Sequence, residues 1–475
     1  MISVSDVYQK LIESNIRPKV EPIITVTGID NEKNPVKITW NAKDIKSLKF
    51  NRGSDPIGRE LPYMELQWTE IYNGEFNSEN FPLKYNNVAK YMAVELSFVQ
   101  ELSFYYNTWK MLYNKFTTWK NSWSRKLSWK QLKNEKETEI IKMPKMFLTA
   151  KPVVSGQTIT WVAKDLLYFL DDMVTMRIYH NFSEPSYLGY LNYGLESILE
   201  KYENQKEIHD AITKTIENVK NNIISEDIIN SSVDIIVNTS CKDFVSNYLK
   251  LRCYNLFFCE DGSFSVKPYN PTIDKNNKIS SNILYSKPTL TRSLDVSKYN
   301  FKRYWYTFEN ETRNYEVSDY IIDKHSRYVF YYHGLGYALQ EYQKDVLRFL
   351  MPDVHKVLAT TPDPVVVTPI KTENNTFDVT IDPVGEVFQE DNPLNPYGLG
   401  EIGTNLRTNL LKEYFKSNFF DVDFNSLSTL QYEPLDCVFV DLNLKDEPEK
   451  PILINYIGLE YKGAIKQTIR GHQIS

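Results

Sequence analysis

The chain has 475 residues, of which 42% are hydrophobic and 24% are charged, and its formal net charge is −6. This length suggests about three domains, the composition can supply a sizeable core, and the negative balance excludes a global basic field for nucleic acid or an anionic membrane. The sequence opens without a secretion signal, and no apolar run approaches the roughly 18 residues that a membrane helix needs. We therefore expect folding in the cytosol and no stable membrane insertion.

The first 180 residues predict a short helix followed by a β domain. Residues 1–20 place apolar side chains at helical spacing after a Ser5-Asp6 cap. Ile23–Trp40 alternates apolar and polar residues on both sides of a polar loop, which predicts a β-hairpin. Further predicted strands share this alternation or a strand-like composition: Asp44–Phe50, Tyr63–Ile71, Tyr91–Phe98, Phe147–Ala150 and Thr158–Ala163.

Asp165 directly follows the last of these strands and precedes the apolar run Leu166–Leu170. An acid at this position can interact with the free N–H groups of a helix start. We interpret Asp165 in this way, and a catalytic aspartate is the alternative.

A stretch rich in Trp and Lys, Asn107–Glu137, interrupts the β pattern. Its four tryptophans, Trp109, Trp119, Trp123 and Trp129, share this stretch with eight basic residues, and Trp119 and Trp123 are at helical spacing. We predict a protein-docking arm in which Trp residues act as anchors. Binding of single-stranded nucleic acid, which also combines rings with basic groups, is one alternative. An elaborated hairpin whose tryptophans serve the local core is the other.

The region 181–284 is more helical. Apolar residues recur at helical spacing between Leu195 and Val219, and Ser240 with Asp243 forms a capping box for a second helix. Two short strands then flank Asp261-Gly262, a strong signal for a tight hairpin. Residues Thr272–Ser281 are predicted to form a polar linker.

The last part of the chain, residues 285–475, predicts strands and one amphipathic helix. Tyr299–Phe308 and Phe377–Ile381 are strand-like, and Asp391–Leu394 forms a corner at Pro393, which blocks a helix. A helix at 398–416 follows, with Leu410 and Tyr414 on its buried face. The final elements are a turn and three strands: Tyr432–Asp436, Cys437–Leu442, Ile452–Ile457 and Ala464–Ile469.

None of the sequence patterns that mark common catalytic or metal sites is present. No phosphate-binding loop, nucleophile elbow or His-Glu-x-x-His pair occurs, and the cluster around His333 is more typical of a structural histidine. The carboxylate pairs Asp171-Asp172 and Asp421-x-Asp423 could bind calcium or act as acid and base, but solvated acids are the default. The four cysteines lack C-x-x-C spacing and are interpreted as reduced core residues. We predict no catalytic, cofactor-binding or metal-binding residues and no cofactor.

Two sets of motifs, more than three hundred residues apart, resemble the tail hub (baseplate hub) proteins of bacteriophages and phage-derived particles, especially those of low-GC Gram-positive hosts. The first set is Asp-Pro, Glu-Leu-Pro, a strand and Asn-Gly-x-Phe, which span Asp55–Phe76. A strand leading into a short helix at Thr158–Leu170 also matches the end of that family's first barrel. The second set comprises Asn392-Pro393, Pro434–Asp436, Leu459–Ile465 and Thr468-Ile469, in the family's order.

The resemblance implies a mainly β, α+β fold with two tube-like β-barrel domains and an inserted helical α/β region. The expected division is an N-terminal helix (1–20), a first barrel (21–180) with the insertion 107–137, a helical and small α/β domain (181–284), and a second barrel (285–475) with helix 398–416.

The resemblance further implies a non-enzymatic hub of a virion tail, assembled in the host cytoplasm as a homotrimer. Three chains would present six barrels to a sixfold tail tube. The implied partners are the tail tube or distal tail protein, the tape-measure protein and a spike or tip protein, with DNA only passing through the lumen. A tail-associated peptidoglycan hydrolase and a receptor-binding tail protein remain the alternatives.

Overall fold

A computed structural model of the chain places most of the residues that it describes in β-strands. The structure describes residues 2, 19–29, 34–56, 58, 60–71, 90–103, 136–150, 152–170, 173–178, 195, 198–222, 235–252, 254–268, 274, 277–279, 284–285, 287–292, 296–308, 369–380, 386–396, 410, 414, 420–426, 430–441 and 449–474.

The described part of the chain contains 22 strands, two α-helices whose bounds are described and two short 3₁₀ helices, at Leu166–Leu170 and Glu200–Tyr202. The first thirteen strands are β1 (Lys19–Ile29), β2 (Pro35–Trp40), β3 (Ile45–Gly53), β4 (Tyr63–Ile71), β5 (Ala93–Ser103), β6 (Lys136–Lys142), β7 (Met146–Leu148), β8 (Val153–Ser155), β9 (Thr158–Lys164), β10 (Met173–Ile178), β11 (Ile235–Ser240), β12 (Tyr254–Phe258) and β13 (Phe264–Pro268). The others are β14 (Lys278–Ile279), β15 (Thr289–Arg292), β16 (Val296–Phe308), β17 (Pro369–Thr380), β18 (Glu386–Pro396), β19 (Phe420–Ser426), β20 (Cys437–Asp441), β21 (Glu449–Tyr461) and β22 (Ile465–Gln473). The α-helices are α1 (Lys206–Asn222) and α2 (Cys241–Arg252).

One sheet of fifteen strands dominates this part of the chain. Its main path runs β15-β19-β22-β21-β3-β4-β9-β7-β5-β1-β2, and β14, β20, β6 and β8 attach beside it. Strands from the N-terminal part therefore join strands from the C-terminal part through the β3–β21 pair. All the pairs in this sheet are antiparallel except β14 with β20. The fold is mainly β, as the sequence predicts.

The sheet strands form where apolar residues alternate with polar ones, because successive side chains point to opposite faces. In β4, Met64, Leu66 and Trp68 are buried between more exposed neighbours. The sheet also curls. The Trp40 ring of β2 lies 5.5 Å from the Trp68 ring of β4 and 5.2 Å from the Trp161 ring of β9, although β2 is five places from β4 along the sheet path. This curl brings the buried faces of distant strands together, as a barrel requires.

A single hydrophobic cluster underlies both strand groups. It contains Trp40, Phe50 and Trp68 from the N-terminal strands, and Phe424 and Ile457 from the C-terminal strands. Removing this apolar surface from water stabilises the two groups together, at about 25 cal/mol per Å² buried. The two ends of the sequence thus share one core.

The α/β unit, defined here as residues 195–268, has a second hydrophobic cluster. Helix α2 begins with the predicted cap, since the Asp243 N–H donates to Ser240 Oγ at 3.0 Å. The predicted hairpin is β12–β13, and Gly262 in its turn has φ +87°, which L side chains rarely adopt. This unit contacts the sheet through Phe147 and the 3₁₀ helix Leu166–Leu170, which belong to the same cluster.

Most predicted strands are confirmed with shifted ends, and three predictions need correction. Residues 278–279, predicted as linker, form β14, because Ile279 is buried and its strand pairs with β20. Tyr91, predicted to begin a strand, lies instead in a turn before β5, where its φ is +78°. The corner at Pro393 lies within β18, where the ladder to β16 is interrupted between Asp391 and Pro396. Proline lacks the N–H that a regular ladder would use.

Several predictions fall wholly or partly outside the described residues. The N-terminal helix is one of them, although Lys19 and Val20 at its predicted end already belong to β1. The insertion 107–137 lies outside except for the start of β6. Of helix 398–416, only Leu410 and Tyr414 are described, and both are helical. The division into four domains remains a prediction.

Candidate functional site: the seam between the two strand groups

The seam, defined here as the β3–β21 pair with the turn 430–436, joins residues about four hundred positions apart in the sequence. Its antiparallel register runs from Tyr456 opposite Gly53 to Tyr461 opposite Leu48. On the exposed side, Lys49 Nζ lies 3.7 Å from Glu460 Oε1. Both side chains are half exposed, so this ion pair contributes little stability. The ladder and the core beneath it hold the seam.

A buried arginine crosses the seam on the core side. Arg52 is only 4% exposed, and its Nη1 donates to Glu433 Oε1 at 3.3 Å while its Nη2 donates to the Tyr432 carbonyl at 2.6 Å. Desolvation by burial lowers the pKa of the Arg52 guanidinium, and the nearby Glu433 and Asp436 oppose this change. A buried charge is strongly unfavourable without such partners. Arg52 therefore fixes the turn 430–436 against β3.

The motif Pro434–Asp436 forms the part of this turn that fastens to β21. Leu435 has φ +74°, a left-handed conformation that costs a branched residue about 1–2 kcal/mol. Its N–H donates to the Ile454 carbonyl at 2.6 Å, and the Ile454 N–H donates back to the Asp436 carbonyl at 2.9 Å. The Asp436 carboxylate also accepts the Glu433 N–H at 2.8 Å. These hydrogen bonds hold a strained backbone in place.

The exposed face of the sheet carries paired polar groups on both sides of the seam. Opposite charges meet across neighbouring strands in three pairs: Arg470–Asp423 at 2.8 Å, Lys164–Glu65 at 3.2 Å and Lys49–Glu460 at 3.7 Å. Uncharged polar side chains also pair across strands: Tyr456–Asn51 at 3.0 Å, Thr468–Asn425 at 2.9 Å and Thr69–Thr160 at 3.3 Å. These pairs compensate charge locally, so they give this face no basic field.

Asp165 has the predicted role of a helix-start acid. Its Oδ2 accepts the Met64 N–H at 2.5 Å and its Oδ1 accepts the Tyr168 N–H at 3.3 Å. Burial raises the pKa of Asp165 to about 6, although the hydrogen bonds from Met64 and Tyr168 act in the opposite direction. Both oxygens are used to join β4 to the 3₁₀ helix, which supports a structural role.

Only some of the remaining predicted site residues are among those that the structure describes. The tryptophans Trp109, Trp119, Trp123 and Trp129 lie outside the described residues, as do Asp171-Asp172 and His333. In the second carboxylate pair, Asp423 is an exposed acid that accepts a hydrogen bond from Arg470 Nε.

Two of the three cysteines that the structure describes are core residues as predicted, whereas Cys259 is only partly buried. Cys241 and Cys437 are buried in hydrophobic clusters. Burial raises the pKa of the Cys437 thiol to about 11, with a smaller contribution from Asp436. A thiol with so high a pKa is a poor nucleophile at neutral pH.

Two further kinds of feature are absent from the described residues. No group of three or more His, Cys, Asp or Glu side chains among them is arranged to hold a metal ion. No helix in this part of the chain is both long and apolar enough to cross a membrane.

Sequence reasoning missed Arg52. A signal was present, because Leu48, Phe50 and Arg52 occupy the same phase of an alternating strand, which places a charged residue at a core position. The sequence could not show that Glu433 and Tyr432, almost four hundred residues away, would meet it.

No protein-family model matches the sequence, and no curated protein matches it. Similar solved structures include the 43 kDa tail protein of prophage MuSo2 from Shewanella oneidensis, at 9% identity and a TM-score of 0.45, over 95% of this chain and 98% of that one. A tail protein from Neisseria meningitidis MC58 gives 6% identity and a TM-score of 0.45, over 94% and 96%. An E. coli component of the type VI secretion system gives 8% identity and a TM-score of 0.32, over 91% and 74%. At these values the resemblance alone assigns no function.

Proposed function

We propose that this chain is a structural, non-enzymatic hub of a phage tail or phage-like particle of a Gram-positive host. In this proposal three copies form a ring that joins the sixfold tail tube to the central spike or tip. The tail tube or distal tail protein and the tape-measure protein contact one side of the ring, and DNA passes through its lumen. The ring is part of the virion tail and assembles in the host cytoplasm.

One observation carries the proposal. The first motif set, Asp55–Phe76, and the last part of the second, Leu459–Ile469, lie more than three hundred residues apart. Strand β3, which precedes the first set, nevertheless pairs with β21, which contains Leu459. A hub with two barrels per chain needs its two strand groups side by side, held rigidly. The continuous sheet, the shared core and the buried Arg52 supply such a connection. Three chains would then present six similar units around one axis.

The charge pattern of the exposed sheet face also supports the proposal. Three pairs of its charged residues meet across strands, and three chains of net charge −6 carry −18 in total (three times −6). Lys and Arg residues that contact phosphates would retain DNA through counterion release. A lumen with compensated or negative charge would instead let DNA pass without binding it.

The first test is the mass of the purified full-length chain by light scattering. A trimer would give about 167 kDa, three times the 55.7 kDa chain. The second test examines assembly of the particle. Deleting the gene from its host genome should leave particles without finished tails, as seen by electron microscopy. Supplying the chain should restore finished tails. Finished tails in the deletion strain would overturn the proposal.

Two outcomes would favour the alternatives instead. Clearing of purified cell wall in a zymogram would indicate a hydrolase. Binding of the isolated chain to host cells, lost on Trp119→Ala and Trp123→Ala, would indicate a receptor-binding protein.

A further inference from the structure

The end of the seam farthest from the α/β unit carries an excess of lysine side chains. The other end lies beside that unit, since Gly53 of β3 and Leu256 of β12 line the same narrow pocket. At the far end, the last pair of the ladder is Leu48 with Tyr461. Four exposed lysines lie on the strands and the turn around this pair: Lys46, Lys49, Lys462 and Lys466. These four residues are called the lysine patch below.

One carboxylate, that of Glu460, lies within the lysine patch. Glu460 is opposite Lys49 on β3 and opposite Lys466 on β22. The three side chains therefore share the exposed face, with the Cβ atoms of each pair about 5 Å apart. Lys49 Nζ lies 3.7 Å from Glu460 Oε1, and this contact is half exposed. A single carboxylate cannot balance the lysines on both sides of it, so four lysines and one acid leave three positive charges in excess.

The other two lysines extend the patch past the end of the ladder. Lys462 follows Tyr461 and begins the turn between β21 and β22. Lys46 lies where the register of β3 with β4 is irregular, and its side chain is exposed. Neither of these lysines, nor Lys466, forms an ion pair with a described residue. Their positive charges are thus open to a partner.

The charges next to the lysine patch offset each other. Lys19 and Glu21, whose charges reach Tyr461, pair at 2.5 Å. Lys43 and Asp44, in the turn before β3, are sequence neighbours of opposite sign. The excess positive charge therefore belongs to the patch itself, on a chain whose net charge is −6. A local excess of one sign attracts groups of the other sign.

The uncharged surface beside the patch separates the possible kinds of anionic partner. Its neighbours on the exposed face are Ser47 of β3 and, on β4, Gln67 and Thr69. None of these side chains has an aromatic ring on which a nucleic acid base could stack. Ile71, farther along β4, is exposed, but one isoleucine offers little apolar area for insertion into a membrane. Acidic side chains of a polypeptide need neither feature.

We propose that the lysine patch binds an acidic segment of a partner protein, whose Asp and Glu side chains pair with the four lysines. Charge complementarity of this kind gives specificity and fast association more than high affinity. In the proposed ring, such a segment would also cover lysines that could otherwise hold DNA phosphates. The inference does not depend on the hub function, because it needs only the folded chain.

The test uses the full-length chain and fluorescein-labelled peptides, with binding followed by anisotropy. The acidic peptide is GSEEDEEGS, and the neutral control, GSQQNQQGS, keeps its length and shape. We expect the acidic peptide to bind more tightly, and we expect its binding to weaken as salt is added, because salt screens exposed charges. Equal binding of the two peptides would overturn the proposal. Tighter binding of oligothymidylate, or of phosphatidylglycerol vesicles, than of the acidic peptide would also overturn it.

The double variant Lys462→Glu with Lys466→Glu locates the site. Both positions are exposed, so the variant should fold, and peptide binding should weaken at least about tenfold because two attractions become repulsions. The matched control, Lys206→Glu with Lys267→Glu, reverses two exposed lysines of the α/β unit and makes the same change in net charge. It should leave binding nearly unchanged, and equal weakening by the two double variants would contradict the proposal. None of these outcomes bears on the mass or the tail phenotype that test the hub function.

Discussion

The larger hydrophobic core takes its residues from strands near both ends of the chain, whereas the smaller core comes from Phe147 and residues 166–266. In the larger core, β3 and β21 are neighbours despite their separation in sequence. In the smaller core, two helices and a hairpin pack with their near neighbours. The two strand groups are therefore one cooperative structure, and the α/β unit is an attached one with contacts of its own.

The largest expected effect is the loss of stability caused by one substitution in each core. Comparing the two variants tests whether the cores unfold separately. Phe50→Ala and Phe264→Ala both remove a fully buried ring and should each cost about 3–5 kcal/mol. Hydrogen exchange measured by mass spectrometry should differ between the two variants. Phe50→Ala should speed exchange in β21 and β22 as well as β3 and β4, whereas Phe264→Ala should act mainly on residues 206–268. A uniform increase across the sheet in Phe264→Ala would show that the cores are not separable.

The next prediction concerns the seam. Arg52→Met should cost about 3 kcal/mol, because it removes the buried guanidinium that binds Glu433 and the Tyr432 carbonyl. Lys49→Met on the same strand is the matched control and should cost under about 1 kcal/mol, since its pair with Glu460 is half exposed. Urea denaturation measures both. If the two variants lose equal stability, the buried contact has no special role.

Asp165 tests the attachment of the 3₁₀ helix to the sheet. Its pKa of about 6 in the folded chain lies above its ordinary value of 3.8, so the folded state holds the proton more tightly. Its contribution to the free energy of unfolding is therefore largest below about pH 4, declines as the pH rises through 6, and is constant above that.

Asp165→Asn should cost about 1–3 kcal/mol at low pH, because a single amide oxygen cannot accept both N–H groups. The variant should also lose the decline in stability between pH 4 and 6. Urea midpoints at a series of pH values check both effects. If the stability of the variant still declines between pH 4 and 6, another group causes the decline. Asp436 is a candidate, because burial also raises its pKa.

The smallest expected losses of stability come from substitutions in two hairpin turns, one in each strand group. Gly463 and Gly156 have φ +84° and +57°, and a Cβ added at either position would meet no other atom within 4 Å. Replacing each with alanine should cost about 1 kcal/mol, through backbone conformation alone. Thermal unfolding measures the change. A much larger loss at Gly463 would indicate a contact of the β21–β22 turn beyond these backbone effects.

Local patterns predicted much of the fold. Alternation located β1 to β4 and β9, because a strand with one buried face must place apolar residues at every second position. Capping and turn signals located α2 and the β12–β13 hairpin, because Ser240 and Gly262 satisfy local backbone requirements. The interpretation of Asp165 succeeded for the same reason.

Contacts between distant residues were beyond such reasoning. Strand β14 consists of only two residues and owes its existence to β20, so no local pattern could show it. Arg52 was visible as a charge in a buried phase, but its partners Tyr432 and Glu433 reach it only when distant parts of the chain meet.

The amino-acid sequence by itself determined which segments become strands, helices and turns, because those choices depend on side-chain alternation and on backbone preferences of residues close together. Only the tertiary structure decided that β3 pairs with β21, that one core serves both strand groups, and that Arg52 meets the turn 430–436. Hydrogen-bond ladders are chemically alike from strand to strand, so the choice of partner depends on how all the buried surfaces pack at once.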